Sequence, residues 1–289
     1  MFYLYALGSM AGYALQNVLL AHHARKMDGL SLAFYRNISF VVTLLPLLIG
    51  ASREEITGVL AEWPLLLMAG GAGGISLGLF YAAYKYLTVG IAGALSRAVM
   101  TVILTGFGWI VLHETLSLPA LGLILLIIVS SIALGTARNT HAHLRKGASI
   151  GILFVTVGAF FLAGTNAVPI ILSRTVNPLV AGYFWEVSIG IAAGVLILLR
   201  WLTVRQGLQH VNVRAFTGIA LCSWPTLVGT GLYTLALRTG PVAVVTSILS
   251  ASLVVVSLLG WWLYRERLTA MQWGAIFVVL TGVVGLKFV

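Results

Sequence analysis

Three ionisable side chains stand deep inside otherwise apolar sequence: Arg36, Arg97 and Glu186. A charge far from either end of a membrane-length apolar segment is costly, and it faces a cavity or a partner. An arginine there presents a planar fork of donors that suits a carboxylate or a phosphate. Arg97 follows Gly93-Ala94-Leu95-Ser96, whose small side chains leave room beside the guanidinium for a solute or an intraprotein partner. Glu186 suits a substrate ammonium, a coupling proton or an arginine. Arg36 and Glu186 sit at matching places, Phe34-Tyr35-Arg36 and Phe184-Trp185-Glu186, and so are candidates for an ion pair. Snorkelling to the membrane interface is the alternative for Arg36.

Polar and aromatic groups form a second set. Gln16 and Asn17, with Tyr13, lie in the first apolar segment, and Asn166 is the counterpart of Asn17 in a later one. Tyr81 and Tyr84 share a helical face at spacing i, i+3, and Tyr233 repeats Tyr81. Trp224 precedes Pro225, where the missing backbone donor predicts a kink. Polar groups at lipid depth need partners, which a water-filled cavity supplies. An interfacial belt accounts for Trp63, Trp201, Trp261, Trp262 and Trp273. Glycines spaced by four (Gly70, Gly74 and Gly78; Gly8 and Gly12) read as close helix packing.

Catalytic machinery is not apparent. There is no Ser-His-Asp set, no His-Glu-x-x-His helix and no paired carboxylates, so the expectation is not an enzyme and no cofactor. The histidines fall in loops or at segment ends; His141-x-His143 has no acidic or cysteine companion, and no metal site is expected. The lone Cys222 excludes an intramolecular disulfide.

The elements that must position these groups are read from composition. Of 289 residues, 60% are hydrophobic and 8% charged, against about 25% charged in a soluble domain. Too little polar surface exists to coat a water-soluble globule, so the solvent is lipid. The net charge of +10 comes from residues scattered singly at segment ends, which fits membrane orientation rather than nucleic acid. A ruler of about 20 apolar residues per span gives ten segments: 2–21, 31–50, 64–84, 90–111, 117–137, 148–171, 179–200, 216–237, 241–263 and 270–288. The first reads as a span rather than a removable leader, for it lacks a basic start.

The chain also reads twice. Gly108-Trp109-x₄-Glu114-x-Leu116-Ser117 returns as Gly260-Trp261-x₄-Glu266-x-Leu268-Thr269, a shift of 152 residues that also carries Tyr81 to Tyr233 and Gly122 to Gly274. The halves, 1–137 and 148–289, hold five spans each, and an odd repeat must insert inverted. Lys and Arg favour the odd-numbered loops by 11 to 4, which places those loops in the cytoplasm and the termini outside.

Leu32-Ala33-Phe34-Tyr35-Arg36, the stretch Gly78–Tyr86 with its partner Gly231–Leu237, and the duplicated Glu-x-Leu-Ser/Thr run ending at Gly122 and Gly274 together resemble EamA-type members of the drug/metabolite transporter superfamily, over essentially the whole chain. The resemblance implies an all-α integral membrane protein of ten helices, arranged as two inverted five-helix repeats around a central cavity and working by alternating access. It implies cavity walls from helices 1, 3 and 4 and their mates 6, 8 and 9. That adds weight to Gln16, Asn17, Tyr81, Tyr84, Arg97, Asn166, Trp224 and Tyr233 as substrate contacts. Two departures stand out. Ser96-Arg97 and Leu249-Ser250 replace the prolines common in helices 4 and 9, and the charge tally opposes the cytoplasmic termini usual for the family. A cavity arginine suggests an anionic or zwitterionic solute.

The expected function is secondary transport of a small metabolite, an amino acid or related zwitterion, with export favoured, in the cell (inner) membrane. Arg97 receives the carboxylate, and Glu186 with Arg36 forms a coupling site or ion pair. The alternatives are an organic-anion, nucleotide-conjugate or vitamin carrier, or a non-transporting structural membrane protein. The expected partners are the solute, the bilayer and coupled protons, with no nucleic acid, in a monomer or homodimer.

Overall fold

A computed structural model describes residues 1–24, 26–83, 85–87, 89–137, 148–264 and 268–288. Among them there is no strand. The chain forms α1 (Phe2–Ala24), α2 (Gly29–Thr43) with a 3₁₀ turn at Leu45–Leu48, α3 (Arg53–Ala61), α4 (Trp63–Ala83), α5 (Val89–Ile110), α6 (Leu118–Ala137) and α7 (Ala148–Thr175). It continues through α8 (Pro178–Val204), α9 (Val213–Ser223), α10 (Thr226–Thr239), α11 (Val242–Ser250), α12 (Ser252–Tyr264) and α13 (Ala270–Gly285).

Two expected spans are each split. Pro225 has no N–H to offer Leu221, and the chain tightens there, Leu227 N donating to Trp224 O at 2.8 Å, so α9 ends and α10 begins. The second break, at Ala251, has neither Gly nor Pro behind it. Ala251 N bonds Ile248 O and Val254 N bonds Ala251 O, both three residues back. The connection expected at 51–63 holds α3, which starts at a reciprocal capping box between Ser52 and Glu55.

Among the described residues six segments are long and apolar enough to cross a membrane: Trp63–Ala83, Ile91–Ile110, Ala148–Thr175, Pro178–Val204, Val213–Thr239 and Val242–Leu259. Leu118–Leu134 and Ala270–Gly285 are shorter apolar helices. Absent from both groups, α1 and α2 carry Gln16, Asn17, Arg36 and Asn37, which lower their mean hydropathy and turn out to face the interior. The outer surface is apolar, with Leu125, Phe160, Ile191 and Phe277 all exposed, while Ser9, Gln16, Arg36, Asn37 and Glu186 are buried. That arrangement suits a lipid solvent.

Helix packing relies on glycine, as the spacing predicts. A Cβ on Gly12 would lie 2.7 Å from Gly229 N, so α1 and α10 meet backbone to backbone, pinned by Ser9 Oγ donating to Gly229 O at 2.7 Å. Gly70 of α4 likewise abuts Ser188 O of α8 at 2.6 Å. The main packing pairs are α4 with α7, α1 with α10, α4 with α8, α6 with α13 and α2 with α8. Connections meet on two faces. On the near face Asp28 takes Arg200 Nη1 at 3.0 Å, and the 205–212 strap docks through Gln209, whose side-chain oxygen accepts Asp28 N at 2.8 Å. On the far face Glu55 accepts from Asn177 at 2.8 Å and Glu114 pairs with Arg174.

Candidate functional site

Glu186 is the hub of the bundle's buried polar groups. Helices α2 and α8 come close at Gly190, where a Cβ would stand 3.1 Å from Asn37. That approach lets Asn37 Nδ2 donate to the Glu186 carbonyl (2.9 Å) and to its Oε2 (3.1 Å). Thr230 of α10 donates to Glu186 Oε1 at 3.0 Å, so its oxygen is left to accept from Tyr13 OH at 2.9 Å. Arg36 Nη1 stands 3.7 Å from Glu186 Oε2 and donates to Asn37 Oδ1 at 2.8 Å. Its guanidinium caps the Phe40 ring at 4.8 Å. With the Gln16 amide turned so that its oxygen faces the guanidinium, as hydrogen bonding requires, Gln16 accepts from Arg36 Nη2 (3.1 Å) and Nε (2.5 Å) and donates to Thr226 Oγ1 (2.8 Å). Arg36 is therefore an ion-pair partner. The snorkelling alternative fails, because the residue is only 6% exposed and ringed by acceptors.

Beside this cluster lies a cavity of about 120 Å³, walled by both halves of the chain. Arg97 lines it from α5, Asn17 from α1, Tyr81 from α4, Asn166 from α7, and Trp185 with Glu186 from α8. Its volume is on the scale of the roughly 150 Å³ void that takes a benzene-sized guest. The Trp185 ring is fixed by Nε1 donating to Thr165 Oγ1 at 3.0 Å, and that hydroxyl donates in turn to Ala69 O at 2.7 Å. The lining thus combines charged and aromatic side chains.

The cavity is offset toward the near face. Its described lining reaches Phe80 and Tyr81 near the end of α4 and Gly93 near the start of α5; it stops at Arg97 on α5 and at Asn166 on α7. Toward the far face α5 and α11 pack closely. Every residue of α11 is buried, and Thr101 and Ser250 hydrogen-bond across α5 and α11 at 2.6 Å.

Of the residues expected at the site, Gln16, Asn17, Tyr81, Arg97, Asn166, Arg36 and Glu186 share this wall. Trp224 does not. It is 57% exposed and borders an outward groove with Val42 and Pro46, because the turn at Pro225 aims it away from the bundle. Trp185 is the tryptophan of the cavity. Tyr233 is 1% exposed and lies off the lining, its ring centroid 6.0 Å from Trp185 and 6.4 Å from Tyr13. Tyr84, Glu266 and His141 with His143 lie outside the described residues. Sequence reasoning missed Asn37, Thr165, Trp185 and Thr230. The signal that found Arg36, polarity within an apolar span, was equally present at Asn37. Thr230 gives none, since helical threonines satisfy themselves on their own backbone.

Comparison with known proteins fits this architecture. The chain matches the EamA-like transporter family over residues 1–136 and again over 149–288. A protein of known crystal structure shares the fold, with a TM-score of 0.71 at 18% identity, over 98% of this chain and 95% of that one. No curated protein sequence matches significantly. Two family matches spanning nearly the whole chain identify it as a member of the EamA-like transporter family, a multi-pass membrane transporter of the drug/metabolite transporter superfamily.

Proposed function

We propose that this protein is a secondary carrier of a small zwitterionic metabolite, an amino acid or close relative, moved by alternating access in the cell membrane. Its ten spans form two inverted halves, 1–137 and 148–289. The matched packing of α1 on α10 and of α4 on α7 supports that symmetry, since each pair joins the first span of one half to the third of the other. The observation that carries the reading is the cavity wall itself, which presents a guanidinium, Arg97, and a carboxylate, Glu186, to one small space between the halves. Arg97 takes the substrate carboxylate, Glu186 faces the ammonium, Asn17 and Asn166 add polar contacts, and Tyr81 with Trp185 packs the side chain. Gln16 serves by holding Arg36. An organic-anion carrier calls for an excess of positive charge at the site, and the other arginine of the wall, Arg36, is matched by Glu186. Export and proton coupling at Glu186 complete the reading.

The test is a flux screen in proteoliposomes over amino acids and organic anions, comparing the native chain with Arg97→Ala. Loss of a charged hydrogen bond should lower uptake of carboxylate-bearing solutes by about tenfold or more. Unchanged transport of anions and zwitterions by Arg97→Ala overturns the assignment.

A further inference from the structure

The bundle between the cavity and the far face holds polar groups that nothing uses. The Tyr233 hydroxyl is buried with no hydrogen-bond partner among the described residues, and so is Ser173 Oγ, at 0% exposure on α7. Unlike a serine or threonine, a tyrosine cannot reach its own helix backbone, so its orphan hydroxyl carries a desolvation cost that water or a solute would relieve. Tyr233 is the repeat counterpart of Tyr81, which lines the cavity on the near side.

At the far end of this region Glu114 and Arg174 tie the halves together. Glu114, from the first half, accepts Val242 N at 2.8 Å through Oε2, capping α11, and accepts Arg174 Nη2 at 2.5 Å through Oε1. Arg174 also donates to Gly240 O (3.2 Å) and Leu237 O (3.3 Å), gathering the ends of α7 and α10. The loop is shaped for this. Glu114 N bonds Gly108 O at 2.9 Å, His113 adopts a left-handed φ of 53°, and a Cβ on Gly108 would stand 2.8 Å from Glu114 Oε2. The Gly108-x₅-Glu114 spacing thus seats a carboxylate of one half on a helix start of the other.

We infer that Glu114 and Arg174 form a clasp closing a second half-channel, which runs from the cavity past Tyr233 and Ser173 to the far face, and that Tyr233 OH contacts the solute when that face is open. The inference rests on alternating access but not on the identity of the solute. Breaking the clasp frees the start of α11 and the Arg174 end of α7 from the first half, and both orphan hydroxyls gain water or solute.

The experiment needs no substrate. In a Cys222→Ala background, Ser173→Cys and Tyr233→Cys are each reacted with a membrane-impermeant maleimide from either side of oriented vesicles. With the clasp intact both are slow from the far face. With Glu114→Ala, loss of its charged hydrogen bonds should speed far-face labelling by about tenfold or more, with Glu114→Gln, which keeps an acceptor for Val242 N, in between. A Ser96→Cys reporter in the near-side cavity, labelled equally in all backgrounds, shows that the bundle is intact; if Glu114→Ala loses it, Glu114→Gln is read alone. Equal far-face labelling with and without Glu114 overturns the clasp. Labelling at Ser173→Cys but not at Tyr233→Cys overturns the role of Tyr233. Normal Arg97→Ala flux would sink the substrate reading and leave this one standing.

Discussion

Among the described residues three acid–base pairs join the halves, and the central and far-face pairs differ in a way that bond length alone misreports. At the centre, Arg36 and Glu186 stand 3.7 Å apart with side chains 7% and 3% exposed. At the far rim, Arg174 and Glu114 are 2.5 Å apart but 28% and 13% exposed. The central contact is long because Asn37 and Thr230 share the carboxylate and Gln16 and Asn37 share the guanidinium. Removing one partner there strands a charge among apolar helices; at the rim, water replaces what is lost. The centre is thus a dry anchor between the halves, and the rim is a contact that water already reaches.

The sharpest way to break that contrast is to truncate both acids. Glu186→Ala should lower stability by about 3–5 kcal/mol, the cost of an uncompensated buried charge. Glu114→Ala should cost about 1–2 kcal/mol, as for a partly exposed charged hydrogen bond. Unfolding temperatures in detergent measure both, and equal losses would mean that burial does not separate the pairs.

Next in size is the backbone seam that carries α1 on α10. Gly12→Val drives a side chain into Gly229 N and Pro225 O, 2.7 Å and 2.9 Å from the new Cβ, and should cost about 1–3 kcal/mol. Gly122→Ala, with nothing within 4 Å, should be neutral or gain up to about 1 kcal/mol. A harmless Gly12→Val would show that this seam is not tightly held.

The smallest effect belongs to the near-face pair. Burial works against the Asp28 carboxylate, but hydrogen bonds from Ser31 and Arg200 outweigh it and hold its pKa below the ordinary aspartate range. A lowered folded pKa means that the contribution is present at neutral pH and fades as pH falls through that lowered value. For so exposed a pair it is less than about 1 kcal/mol. Asp28→Asn should flatten the acid limb of a stability–pH curve slightly and leave the neutral plateau almost unchanged.

Much of this architecture is legible before any coordinates. Composition announces lipid as the solvent, Pro225 marks a helix break, and the doubled Gly-Trp-x₄-Glu run marks the repeat. The charges at Arg36, Arg97 and Glu186 mark the wall of the cavity. The break at Ala251 was not legible, because no residue there forbids a helix.

What the sequence alone determined is depth: a polar residue in an apolar span reports that it needs a partner and roughly how far into the membrane it lies. Direction was decided by the tertiary structure. Spans that are apolar all round carry no periodic stripe to say which side faces inward, so Trp185 rather than Trp224 reached the cavity. Packing also gave Arg36 an acid, put Arg97 on the cavity wall and left Tyr233 beneath it, because which helices touch is a property of the assembled bundle.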